Sequence, residues 1–96
     1  MITSFADPAL ESFYYCGPGP ANRRISPALH RVLRTRLDML YYAQALIDLR
    51  VPPGNRLEAL KGDRAGWHSI RVNDQWRLVF RWVDEAAAGV QLVDYH

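Results

Sequence analysis

The chain has 96 residues, 49% hydrophobic and 23% charged, which suits one globular domain and excludes a disordered chain. No apolar run reaches the roughly 18 residues of a membrane span, and residues 1–5 have neither a basic nor a long apolar stretch of a secretory leader, so the expected compartment is the cytoplasm. The formal net charge of +2 is too small to mark a nucleic-acid binder, and the single cysteine, Cys16, excludes an intrachain disulfide and a Cys-rich zinc site.

Residues 2–5 are short and β-prone and predict a first strand. Asp7-Pro8 predicts a helix start, a capping carboxylate followed by proline at the first helical position. Leu10, Phe13 and Tyr14 follow at helical spacing, and Gly17-Pro18-Gly19-Pro20 ends the helix. Ser26-Pro27 repeats the start signal. The second helix carries Leu29, Leu33, Leu37 and Leu40 on one stripe and is expected to run to about Ala45, with residues 46–49 adding a turn. Pro52-Pro53-Gly54-Asn55 is a break.

Beyond the break the period changes from helical to alternating. His68, Ile70 and Val72 alternate with Trp67, Ser69 and Arg71, and Trp76, Leu78, Phe80 and Trp82 alternate with Arg77, Val79 and Arg81. A three-residue loop at Asn73-Asp74-Gln75 pairs Val72 with Trp76 and puts the apolar residues of both strands on one face. A two-residue turn would scramble that pattern, because a one-residue slip flips every side chain. Residues 84–89 read as a turn region and residues 90–93 as a last strand. The fold class is therefore α+β, two N-terminal helices on one face of a small, mostly antiparallel sheet.

The opposite sheet face is expected to be open and to present Arg71, Arg77 and Arg81 with Trp67, Ser69 and Val79. Between Arg56 and Arg81 six basic residues face three acidic ones, Glu58, Asp63 and Asp74. Guanidiniums interleaved with an aromatic suit phosphates and bases. A solvated strand face accounts for the same residues, and a GC-rich genome accounts for the preference for Arg over the single Lys61. A bend is expected near Lys61-Gly62. His30, His68 and His96 are too scattered for a metal motif, and Ser26, Ser69 and Cys16 have no base at a telling spacing.

The segments Leu57-Glu58-Ala59-Leu60-Lys61-Gly62-Asp63, Trp67-His68-Ser69-Ile70-Arg71-Val72-Asn73, Trp76-Arg77-Leu78-Val79-Phe80 and Asp94-Tyr95-His96 resemble the HigB-type toxins. These form the plasmid-maintenance branch of the RelE/ParE toxin superfamily. The opening Met1-Ile2-x-Ser4-Phe5 is similar as well, and the likeness is loosest between Cys16 and Arg50. The resemblance implies a microbial-RNase-like α+β fold, cleavage of mRNA on the translating ribosome without a cofactor or metal, and restraint by a helix-turn-helix antitoxin in a hetero-oligomer.

Carried over by position, Arg77 matches the family's strand arginine, and Asp94, Tyr95 and His96 match its C-terminal triplet. Glu58 departs from HigB toxins that have His there and is similar to the general base of YoeB toxins. On this reading Glu58 takes the 2′-OH proton, His96 protonates the leaving 5′-oxygen, and Arg77 stabilises the phosphorane. Tyr95 stacks on a base or orients phosphate, Asp94 orients His96, and Lys61, Arg64, Arg71 and Arg81 bind RNA. Two rivals stay open: a ParE-like gyrase poison on the same fold, and a non-catalytic binding module whose basic face only docks a partner.

Overall fold

In the computed structural model, which describes residues 1–95, the helices α1 (Pro8–Cys16) and α2 (His30–Tyr42) precede the strands β1 (Glu58–Ala59), β2 (Trp67–Arg71), β3 (Trp76–Val83) and β4 (Ala86–Asp94). The four strands form one antiparallel sheet in the order β1-β2-β3-β4. Leu10 and Phe13 of α1 and Leu33, Leu37 and Leu40 of α2 are buried in one cluster with Ile70, Leu78, Phe80 and Val90 of the sheet. The helices thus cover one face, as the leucine stripe and the strand alternation predict.

The helix starts follow the expected chemistry. Asp7 Oδ1 accepts from the Leu10 amide at 3.2 Å, with Pro8 in the first turn. Asp7 also pairs with Arg24 and lies 3.5 Å from the Leu92 amide, so one buried carboxylate ties α1 to β4. The Tyr14 hydroxyl donates to Asp38 at 2.8 Å and joins the two helices. Burial and that carboxylate push the Tyr14 phenol well above its ordinary range.

Three expectations are revised. Residues 2–5 form no full strand; they run parallel to β4 with bridges only at Ile2 and Phe5, and Ser4 Oγ takes the Gly89 amide between them. The second helix begins as a 3₁₀ turn (Pro27–Leu29) capped by Ser26, and α2 stops at Tyr42 rather than near Ala45. Asp48 Oδ2 accepts from the Gln44 and Ala45 amides at 3.0 and 3.1 Å and starts a separate 3₁₀ turn, Leu46–Arg50. Finally, the turn after β3 is only Asp84-Glu85, both at positive φ, as a two-residue hairpin turn requires. Ala86, Ala87, Ala88 and Gly89 therefore belong to β4.

The hairpin register agrees with the alternation. Arg71 pairs with Arg77 and Ile70 with Leu78, and the Val72 amide donates to the Trp76 carbonyl at 2.9 Å. Between β3 and β4 the register slips by one, with Gly89-Val90 bulging opposite Phe80. Gly89 has φ +63, and a Cβ there would stand 3.1 Å from Trp67 Cη2, so the bulge and the indole both need glycine.

His68 packs on Phe80 with ring centroids 6.0 Å apart, and burial lowers its pKa below the ordinary value. The unfolded imidazole binds its proton first as the pH falls through about 6.5, so the native state loses stability from there downward. The urea midpoint is therefore expected to fall more between pH 7.5 and 5.5 in the wild type than in His68→Gln. Equal pH dependence of the two proteins would remove His68 as a source of acid sensitivity.

Candidate active-site cleft

Antiparallel pairing sets Glu58, Ser69, Val79 and Gln91 in one row across the second face of the sheet. The neighbouring row is Arg71, Arg77 and Val93. This face holds the residues predicted for it, but it is not open. Ser69 and Val79 are fully buried and Arg77 is 8% exposed. Long side chains flank the small ones on β2 and β3, Trp67 and Arg71 beside Ser69, and Arg77 and Arg81 beside Val79.

Arg77 shows how. From β3 its guanidinium spans β2 to reach β1, donating from Nη1 to Glu58 Oε1 at 3.2 Å. Its Nη2 donates to the Arg56 carbonyl, and its Cζ lies 5.5 Å from the centre of the Tyr95 ring. Ser69, paired with Glu58 on the intervening strand, is small enough to be crossed. Glu58 itself keeps half of its side chain in solvent.

A cleft of about 290 Å³ opens at this end of the sheet, lined by Arg56, Glu58, Arg71, Asn73, Asp74, Arg77 and Tyr95. Three guanidiniums face two carboxylates there. Arg71 pairs with the exposed Asp74 at the β2–β3 loop. Asn73 Oδ1 shapes that loop by accepting from the Gln75 and Trp76 amides at 2.9 and 2.8 Å. The Tyr95 amide donates to the Gln75 carbonyl at 2.6 Å, which holds Tyr95 beside the loop. Asp94 pairs with Trp76 across the strands and accepts from Gln75 Nε2 at 3.1 Å.

Of the predicted site residues, then, the fold brings Glu58, Arg71, Arg77 and Tyr95 into one cleft, with Asp94 on the adjoining strand end. It separates Arg81, which lies over Trp67 at 5.3 Å further along the same face. Lys61 and Arg64 are exposed at the 3₁₀ turn Gly62–Arg64 and do not line the cleft. His96 lies outside the described residues. Sequence reasoning missed Arg56, Asn73 and Asp74. Asn73-Asp74 announces a turn, but nothing local marks Arg56. Among the described residues no group of three or more His, Cys, Asp or Glu side chains is placed to hold a metal ion, and no helix is long and apolar enough to cross a membrane.

The chain is similar to known proteins over nearly its whole length. It is 46% identical over 92 residues to Toxin HigB-1 of Vibrio cholerae serotype O1, covering 96% of this chain and 95% of that one. It is 42% identical over 41 residues to Endoribonuclease HigB of Proteus vulgaris, covering 43% of this chain and 45% of that one. Residues 3–96 match the model of the HigB-like toxins, described as the RelE-like toxin of the type II toxin–antitoxin system HigB. With this α+β fold and this alignment from end to end, the chain belongs to the HigB-like family of type II toxin–antitoxin toxins.

Proposed function

We propose that this toxin is an endoribonuclease that cuts mRNA on the translating ribosome, using acid–base chemistry from its own side chains. The observation that carries the reading is the shared cleft of Glu58, Arg77 and Tyr95, three residues remote in sequence. The name of the Proteus relative supports the same activity.

In the proposed reaction the Glu58 carboxylate takes the proton of a ribose 2′-OH as that oxygen bonds to the adjacent phosphorus. The P–O5′ bond then breaks, leaving a 2′,3′-cyclic phosphate, and His96 gives its proton to the departing 5′-oxygen. Negative charge builds on the non-bridging oxygens, where the Arg77 guanidinium, itself held in place by its buried contacts, stabilises it. Tyr95, held beside Arg77, offers a ring for a base or a hydroxyl for a phosphate, and Asp94 orients His96. Lys61, Arg64, Arg71 and Arg81 hold RNA outside the reacting group. A helix-turn-helix antitoxin neutralises the toxin in the cytoplasm as a hetero-oligomer.

The test is primer extension on mRNA from programmed ribosomes incubated with the purified toxin. Wild-type protein is expected to cut ribosome-bound mRNA and leave 2′,3′-cyclic phosphate ends. Intact mRNA together with gyrase-linked DNA breaks would overturn the ribonuclease reading in favour of a gyrase poison. Growth of cells expressing the wild type at high level without its antitoxin would count against toxicity itself.

A further inference from the structure

We propose that Arg56 is a substrate-binding residue of the cleft, gripping a backbone phosphate of single-stranded RNA, and that its turn aims it there. The assignment rests on the ribonuclease reading above. Of the three guanidiniums in the cleft, two already hold protein partners and keep only their remaining N–H groups for RNA. Arg77 spends Nη1 on Glu58 and Nη2 on a backbone carbonyl, and Arg71 pairs with Asp74. The Arg56 side chain is exposed and, among the described residues, has no ion pair or hydrogen bond. A free planar fork among the residues lining this cleft matches a phosphodiester.

The backbone gives an independent reason. Arg56 sits at φ 46° and ψ 57°, a left-handed conformation that glycine or asparagine adopts at lower cost. The turn is fixed from both sides. Asn55 is fully buried, with Nδ2 donating to the Leu49 carbonyl at 3.2 Å, and the Arg56 amide donates to Pro53 at 3.1 Å. The Arg56 carbonyl is held by Arg77 itself. Leu57 then turns onto the core, which leaves Arg56 and Glu58 together on the cleft. The same bond that anchors Arg77 therefore positions the neighbouring free cation.

Arg56→Gly separates the two roles. It keeps the left-handed turn and the carbonyl that Arg77 needs, and removes only the side chain. The probe is a fully 2′-O-methylated RNA oligonucleotide, which cannot be cut because the attacking hydroxyl is blocked. Binding is measured over a salt series, with thermal melting as a check on the fold. Arg56→Gly is expected to bind about tenfold more weakly at low salt. Its slope of log K against log salt is expected to be shallower by about 0.7, the value for one lost phosphate contact on a single strand. Arg56→Lys should keep the slope while losing part of the affinity. If Arg56→Gly folds and binds with wild-type affinity and slope, Arg56 serves only the turn and the assignment falls. If the wild type cuts ribosome-bound mRNA but shows no salt-dependent binding of the oligonucleotide, the Arg56 assignment falls while the ribonuclease reading stands; if it cuts no mRNA, both fall.

Discussion

Glu58→Gln and His96→Gln are each expected to lower single-turnover cleavage of ribosome-bound mRNA by about 10²–10⁴-fold, the range for loss of one general base or acid. Glutamine at position 58 keeps the side-chain shape and an oxygen for Arg77 Nη1, now 3.2 Å from Glu58 Oε1, so the cleft should survive while its proton acceptor is lost. Glutamine at position 96 likewise cannot supply a proton near pH 7. The double variant should fall little below the worse single one, because groups acting in one step are not additive. Antitoxin affinity, measured in parallel, should be unchanged in both. Cleavage at the wild-type rate by both single variants would remove the acid–base assignment while leaving family membership intact.

Arg77→Ala is expected to cost both activity and stability. Removing one preorganised stabiliser of developing charge lowers the rate about 10²–10³-fold. Arg77 is 8% exposed, so its loss also leaves a buried gap and strips a charge-assisted donor from Glu58 and from the Arg56 carbonyl. Because Glu58 is half in solvent, the penalty is modest, about 1–3 kcal/mol. The sequence expectation of an open face presenting Arg77 to solvent is revised here for that reason. Arg77→Lys keeps the charge but not the fork, and a single ammonium cannot reproduce both bonds, so it should recover stability better than activity. Urea denaturation read beside the cleavage assay checks both parts. An unchanged urea midpoint in Arg77→Ala would show that the Glu58–Arg77–Arg56 connection contributes nothing to the fold.

The sequence by itself determined those elements whose signals are local. Asp7-Pro8 and Ser26-Pro27 announce caps because the capping groups lie within three residues of the amides they satisfy. The leucine stripe of α2 and the alternation of β2 and β3 fix which faces meet, and the position of the Asn73-Asp74-Gln75 loop then sets the hairpin register. From that register Arg71 and Arg77 share a face with Trp67 and Arg81. The family likeness added Glu58 and Tyr95, and the fold gathers both with Arg77.

Tertiary structure alone decided what depends on distant partners. Alternation assigns a side chain to a face but cannot say what lies across it. Ser69, Val79 and Arg77 are therefore buried where solvent was expected. The early stop of α2 depends on Asp48 competing for the amides of Gln44 and Ala45, and the bulge at Gly89 is matched to Trp67 from another strand. Arg56 joins the cleft because Arg77, 21 residues later, binds its carbonyl and because a buried asparagine fixes the turn before it. Long-range hydrogen bonds and close packing set these positions, and neither leaves a periodicity along the chain.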